Sequence, residues 1–162
     1  MPLFAKGGDV PRGPVAMQVS GGMLATQQVV GTNASLMIAE RSGGYHSNPH
    51  VHDCEQLNYM IQGEVWIFIQ DQAFHLRPGD FLRIPANIVH WAWNCTDEPC
   101  ILAEAHLPAL DVLPRGQAIL LLDETEDAGL VRWVESQFVT HDQSRAEAQG
   151  MRKGDTLGGG TA

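Results

Sequence analysis

The amino-acid sequence predicts an all-β fold, an antiparallel sandwich or barrel. Three observations lead to this prediction: the strand-like runs are short, turn residues separate them, and several runs are apolar on both faces. Val65–Ile69 has no polar side, so it must be covered on both sides. The interior of a barrel would cover one face, and a second sheet or a partner subunit would cover the other.

The predicted strands follow one another along most of the chain. Their ranges are Gln27–Val30, Ser35–Glu40, Gln56–Gln62, Glu64–Gln70, Ala73–Leu76, Phe81–Ile84, His90–Asn94, Ile101–His106 and Ala118–Leu122. Gly63 and the turn at residues 77–80 separate neighbouring strands, because glycine and proline favour turns. The stretch 41–44 interrupts the run in the same way.

A single domain with flanking segments is predicted. Residues 1–22 are rich in glycine and proline and should form an N-terminal arm, and residues 23–122 should form the barrel. Asp123, followed three residues later by Glu126, resembles a capping box, so residues 123–140 are predicted as a short C-terminal helix. Residues 141–162 are polar and glycine-rich and are expected to form a flexible tail.

Composition argues against several classes of function. The 162 residues carry a formal net charge of −9, which provides no basic surface for nucleic acid or anionic lipid. The chain has neither an apolar run of ~20 residues nor the apolar core of a signal peptide. An odd number of cysteines fits a reducing compartment, although a disulfide between Cys95 and Cys100, which flank a short loop, stays open. We therefore expect a cytoplasmic protein with no nucleic-acid or membrane partner.

A group of histidines indicates metal-ion chemistry. His50 and His52 are two residues apart, so on a strand both imidazoles lie on the same face. Gln56 has the same parity if the strand continues in register, and His90 follows a later strand and turn. Two strands of a small barrel can bring these side chains to one point. Three imidazoles and one oxygen donor would hold one divalent metal ion per chain and leave one or two positions open for a substrate.

Two motifs in the sequence resemble those of the cupin family. The matching residues are Gly44, His50, His52, Gln56 and Gly63 for the first motif, and Gly79, Pro85, Asn87, His90 and Asn94 for the second. Asn87 replaces the usual glycine, and asparagine tolerates positive φ. The resemblance covers residues 25–107, and the spacing between the motifs is typical of small bacterial cupins. It implies an RmlC-like jelly-roll barrel, an antiparallel double-stranded β-helix, with the same four metal ligands. It implies no nucleotide cofactor.

Gln56 stands where the first cupin motif more often has glutamate. The three-His-one-Gln set is similar to that of cupins that open or isomerise unsaturated uronates and of cupin polyketide cyclases. A neutral carboxamide leaves the charge of the ion undiminished, which strengthens it as a Lewis acid, but it cannot act as a general base. A one-residue bulge that brings Glu55 into this position stays open.

The predicted function is therefore Lewis-acid catalysis on a small oxygen-chelating substrate, of the isomerase, cyclase or lyase type. Two alternatives stay open. One is an Fe(II)-dependent dioxygenase of a phenolic or diketone substrate, and the other is a non-catalytic ligand-binding cupin. The sequence does not distinguish Zn, Mn, Ni and Fe.

Three further residues are candidates for catalysis. Glu104 and His106 share one face of a predicted strand and could form a proton shuttle beside the metal, or else a pair at the barrel rim. His46 lies four residues before His50 and could serve as a fifth ligand or an acid–base group, or else be an exposed loop residue.

The two faces of the strand at 56–62 should differ in role. Asn58 and Met60 share the parity of Gln56 and should line the substrate pocket. Other side chains are expected to form apolar outward faces, namely Leu57, Tyr59, Ile61, Trp91 and Trp93. Such faces predict a homodimer.

Overall fold

The computed structural model describes residues 4–15 and 19–110, together with the backbone of residues 119–120 and 131–133. One 3-10 helix, Gly7–Asp9, lies in these ranges. The strands are β1 Arg12–Pro14, β2 Val19–Gly21, β3 Leu24–Val30, β4 Ser35–Arg41, β5 His46–Ser47, β6 His50–His52, β7 Glu55–Gln62, β8 Val65–Ile69, β9 Gln72–Leu76, β10 Phe81–Ile84, β11 His90–Trp93, β12 Cys100–Leu107, β13 Ile119–Leu120 and β14 Val131–Trp133. Among the described residues, no helix is long and apolar enough to cross a membrane.

Two sheets, almost entirely antiparallel, make up the described fold. The first has the order β1-β3-β4-β12-β7-β10, with β13 parallel to β3. The second has the order β14-β6-β11-β5-β2, with β8 beside β11 and β9 beside β8. The chain passes from one sheet to the other between β6 and β7, as it does between β7 and β8. This arrangement confirms the predicted all-β jelly roll.

The core lies between the two sheets because alternate side chains point inward. Every second residue of β3, β4 and β12 is buried. Val65 and Ile67 of β8 pack into this core, whereas Trp66 and Phe68 pack into a second cluster on the opposite face. The prediction that this strand is covered on both sides is therefore confirmed. Trp91 and Trp93 belong to the second cluster and are buried, so they face away from His90 and lie in the core rather than on an exposed face.

The two flanking segments differ from their predictions. Within residues 1–22, β1 pairs with β3 and β2 pairs with β5, so this arm adds an edge strand to each sheet. Val131–Trp133, inside the predicted helix, is a strand that pairs with β6. The unpaired backbone of a sheet edge favours such pairing over local helix preference. The rest of the predicted helix and the predicted tail at 141–162 lie outside the described residues.

Asn87 fixes the turn that leads into β11. Its φ of 61° lies in the left-handed region, which asparagine adopts more readily than most residues. This confirms the reason given for asparagine at a position usually held by glycine. The Asn87 amide donates to the His52 carbonyl over 2.8 Å, so the turn ties β6 to the start of β11.

The cysteines give no support for a disulfide in the loop at 95–100. Cys100 is a buried thiol and is not bonded to Cys95. Burial raises the pKa of the Cys100 thiol and of the Cys54 thiol to about 11, so neither is a thiolate at neutral pH.

Candidate metal site

Three of the four predicted metal ligands meet on neighbouring strands of the second sheet. His50 of β6 lies directly opposite His90 of β11, and the centroid of the His90 ring is 4.3 Å from that of His50 and 4.7 Å from that of His52. All three side chains are buried, and one ring nitrogen of each lies within 4.8 Å of the other two. Such a set can hold one metal ion.

Backbone carbonyls orient the three rings in the same way. The Nδ1 atom of each ring donates to a carbonyl oxygen 2.9 Å away, and the acceptors are Asn48, Cys54 and Ile88 for His50, His52 and His90. With the proton on Nδ1, each Nε2 carries the lone pair that a metal ion requires. Hydrogen bonds of this kind are the usual support of histidine ligands, because they fix both tautomer and orientation.

Gln56 reaches the site from the other sheet. The chain bends at residues 53–54 between β6 and β7, so Gln56 is not on the strand of the histidines, as the sequence suggested, but still faces them. Its Nε2 donates to Asn58 Oδ1 over 2.7 Å and to Glu104 Oε2 over 3.2 Å. The amide is therefore held with Oε1 toward the histidines, 3.1 Å from His52 Nε2.

These donors fit a divalent metal ion. Gln56 Oε1 and His52 Nε2 both present lone pairs and yet lie 3.1 Å apart, a contact that a cation shared between them would make favourable. Ligands about 2.1 Å from one ion and at right angles to each other are about 3.0 Å apart. His90 Nε2 is buried and has no hydrogen-bond partner in the described part of the chain. A metal ion would satisfy it.

Two of the three imidazoles, His50 and His90, have pKa values below the ordinary value. The pKa of His50 is lowered to about 4, mainly by burial; a hydrogen bond to Asn48 opposes the shift, and His52 and Arg41 add to it. Burial, followed by the neighbouring imidazoles, also lowers the pKa of His90 well below its ordinary value. Neutral imidazole is the form that binds metals.

Glu104 and His106 share the cavity with these ligands. On β12 they lie opposite Asn58 and Gln56 of β7, and both line one cavity together with the three histidines. The ring of His106 is 5.6 Å from that of His52, and burial is the main cause that lowers the pKa of His106 to about 3. The two residues therefore sit inside the barrel and not at its rim.

Arg41 is a cavity residue that the sequence analysis assigned to a turn. It is the last residue of β4, only 6% exposed, and its Nη2 lies 2.6 Å from Glu104 Oε1. Burial alone would lower the pKa of Arg41, but the Glu104 carboxylate and Tyr45 raise it above its ordinary value. The sequence contained a sign of this position, because Arg41 lies an even number of positions after Ser35 and so falls on the inward face of the strand. The glycines that follow Arg41 favoured a turn instead.

His46 does not reach the site. It lies in β5 and is fully buried, its Nδ1 contacts Ser20 Oγ, and it is not part of the cavity wall. Both earlier interpretations, a ligand or acid–base group and an exposed loop residue, are therefore wrong. The physical reason is strand alternation: the next residue, Ser47, faces the cavity and directs His46 to the other side of the sheet.

The predicted pocket residues and the Glu55 alternative also differ from expectation. Asn58 and Met60 are buried, as their parity requires, but neither lines the cavity. Asn58 is covered by its contact with Gln56, and Met60 lies about 13 Å farther along the strand than Gln56, within the core. Glu55 pairs with Arg83 on the outer face, so it does not replace Gln56.

The contacts of Gln56 predict that glutamate is unfavourable at this position. In Gln56→Glu a carboxylate would replace the amide that now donates to Glu104, so two carboxylates would face each other. We expect the metal-free protein to lose about 1–3 kcal/mol of unfolding free energy, measured by urea denaturation. The double variant Gln56→Glu/Glu104→Gln, which restores one donor between the two positions, should recover part of this loss. Equal stability of the single variant and the wild type would contradict the prediction.

Comparison with known proteins agrees with this arrangement. The sequence profile of the cupin domain matches residues 38–107, a range that contains all four predicted metal ligands. The chain contains a cupin domain. Its sequence also matches the auxin-binding protein T92 of Nicotiana tabacum, with 27% identity over 82 residues, which is 44% of this chain and 41% of the relative. The chain thus matches less than half of the length of that curated relative.

Solved cupin structures share the fold at low sequence identity. A cupin-like protein from Thermotoga maritima covers 91% of this cupin chain and 97% of its own, with a TM-score of 0.60 and 17% identity. KdgF from a Halomonas species covers 68% and 97%, with a TM-score of 0.57 and 18% identity. An RmlC-like cupin from Shewanella frigidimarina covers 67% and 93%, with a TM-score of 0.55 and 22% identity. These likenesses establish the fold.

Proposed function

We propose that this cupin is a metal-dependent enzyme that acts on a small, oxygen-chelating substrate, by isomerisation, cyclisation or lyase chemistry. The observation that carries the proposal is the fourth donor. Gln56 presents a neutral oxygen beside three histidines, and its amide protons are directed to Asn58 and Glu104. None of these four donors carries a negative charge when the imidazoles are neutral, so a divalent ion bound there would keep its full charge.

The metal would supply Lewis-acid polarisation of a substrate oxygen. The residues of the chain would supply the remaining functions. Glu104 holds Gln56 and is itself engaged by Arg41, so it is poorly placed to take a proton from a substrate. His106 lines the same cavity, and its Nδ1 has no hydrogen-bond partner within the described ranges. We assign to the neutral imidazole of His106 a hydrogen bond to the substrate, because a pKa of about 3 makes it a weak proton acceptor.

Metal content and oxygen consumption test the proposal. Protein purified without chelators should contain about one Zn, Mn or Ni ion per chain by elemental analysis, in keeping with a single ligand set. Loading with Fe(II) should give no oxygen uptake with phenolic or diketone substrates. Stoichiometric oxygen consumption with iron would replace this proposal by the dioxygenase alternative.

A second candidate function is ligand binding without catalysis. The name of the Nicotiana relative describes a binding protein, which favours this alternative. It predicts that a small molecule stays bound during purification and is released unchanged, as measured by native mass spectrometry. Release of a chemically altered molecule would contradict it.

We also propose that the protein is a cytoplasmic homodimer. One outer surface of the first sheet, here called the apolar face, consists of large side chains that are 38–79% exposed, namely Leu36, Ile38, Leu57, Tyr59, Ile61 and Phe81. The charged residues beside it form the ion pairs Arg12–Glu40 and Arg83–Glu55. Because these charges are paired within one chain, they do not oppose the approach of a second copy despite the net charge of −9.

Light scattering at micromolar concentration should therefore give the mass of a dimer. Tyr59→Glu, which places a charge in the apolar face, should shift the protein toward monomer. Met23→Glu is a matched control, because Met23 is exposed but lies outside this face. A monomeric wild type would refute the dimer.

A further inference from the structure

Only one of the three guanidinium nitrogens of Arg41 has an acceptor among the described residues. Its Nη2 pairs with Glu104, and its Cζ lies 5.4 Å from the centroid of the Tyr45 ring. Nε and Nη1 are buried and have no hydrogen-bond acceptor in the described part of the chain. Buried guanidinium N–H groups are costly without an acceptor, since they have lost water and gained nothing in return. Arg41 lines the same cavity as the metal ligands, so a ligand in that cavity can provide the acceptor.

The charges of the cavity wall favour an anionic ligand. Arg41 and Glu104 cancel each other, and histidine binds a metal ion as the neutral imidazole. A divalent ion on the histidines would then leave the cavity with about two positive charges, which an anion would offset in this low-dielectric interior.

The rest of the wall suits an apolar body. Besides the polar groups, the cavity is lined by apolar side chains, including Leu24, Met37, Ile67, Ile84 and Leu110. Small-molecule sites typically combine such an apolar wall with a few polar groups that orient the ligand.

We propose that Arg41 binds the carboxylate of a small organic acid through guanidinium N–H groups that Glu104 does not occupy. The substrate class is then a carboxylic acid with an apolar body and a further oxygen that can reach the metal. This inference rests on the proposed function for the role of the metal, but the contribution of Arg41 is measurable without metal.

The test uses 3-phenyllactate and its neutral amide, 3-phenyllactamide, as probes in isothermal titration calorimetry. Metal-free and zinc-loaded forms of the wild type and of Arg41→Lys are compared. Lysine keeps the charge opposite Glu104 but loses the additional planar N–H donors of the guanidinium. We expect Arg41→Lys to bind the acid at least about tenfold more weakly and to bind the amide as the wild type does. Arg83→Lys, at the exposed ion pair with Glu55, should leave both affinities unchanged.

Equal affinity of the wild type and Arg41→Lys for the acid would overturn the inference, as would equal affinity of the wild type for acid and amide or no binding of either probe. The doubly neutral variant Arg41→Gln/Glu104→Gln provides a second comparison that leaves no buried charge unpaired, and it too should lose the preference for the acid.

Binding that disappears on chelation but is insensitive to Arg41→Lys would refute the role of Arg41 and leave the proposed metal site unaffected. Conversely, a protein that binds no metal would refute the proposed function, while Arg41-dependent binding to the metal-free form would still support the inference.

Discussion

His90→Ala is expected to abolish stoichiometric metal binding. The ring of His90 lies close to both other imidazoles, with its centroid 4.3 Å from that of His50 and 4.7 Å from that of His52. Its Nε2 has no hydrogen-bond partner among the described residues. Removal of a supporting residue alone typically weakens metal binding 10–100-fold, so loss of a ligand should weaken it by about 100-fold or more. Elemental analysis after dialysis against a weak chelator measures the effect.

Thermal unfolding provides an independent measure of metal binding at the same site. A metal that binds only the folded wild type stabilises it by about 2.7 kcal/mol at a concentration 100 times the Kd, so added zinc should raise the Tm of the wild type and not that of His90→Ala. His75→Ala is the matched control, because His75 stacks on Trp66 and bonds to Glu64 outside the cavity. Full metal occupancy in His90→Ala would show that the ion is bound elsewhere.

Glu104→Ala should have the largest effect on stability. It leaves the buried guanidinium of Arg41 without its counter-charge, in a pair whose side chains are only 7% and 3% exposed. Removing one partner of such a pair typically costs about 3–5 kcal/mol, measured here as unfolding free energy in urea. Loss of the acceptor for Gln56 Nε2 adds to the cost.

Two further variants test whether the loss of stability comes from the unpaired charge of Arg41. Arg41→Met/Glu104→Met, which removes both charges and keeps much of the volume, should be more stable than Glu104→Ala, because no buried charge is left unpaired. Glu55→Ala breaks an ion pair in which Arg83 is 62% exposed, and should cost less than about 1 kcal/mol. A Glu104→Ala variant no less stable than Glu55→Ala would mean that the buried pair contributes little.

The strands were predictable because alternation and turn residues are local signals. Phe81–Ile84 has the predicted bounds, and most of the other predicted strands differ by one or two residues, whereas five short strands, β1, β2, β5, β6 and β14, are absent from the prediction. The parity of His50, His52 and Gln56 predicted a shared direction correctly, although a bend places Gln56 in the other sheet. The bend does not alter the outcome, since both sheets face the same interior.

What the sequence did not reveal depends on contacts between distant strands. The pairing of Arg41 with Glu104 joins β4 to β12, and no local pattern announces such a contact. His46 is a residue type that binds metals, but in β5 its side chain points away from the cavity. This direction could not be predicted because the short strand β5 was not predicted. The helix predicted at 123–140 rested on a local capping pattern, whereas the strand Val131–Trp133 depends on the available edge of β6.

The bend between β6 and β7 has a consequence for the unfolding of the molecule. Because the histidines belong to one sheet and Gln56 to the other, an ion held by all four would cross-link the two layers. No backbone hydrogen bond of the β6–β11 or β7–β12 ladders has to break for the layers to part at this end. Metal loading would therefore convert two layers that can open separately into one cooperative unit, and amide hydrogen exchange in β6 and β7 would slow together.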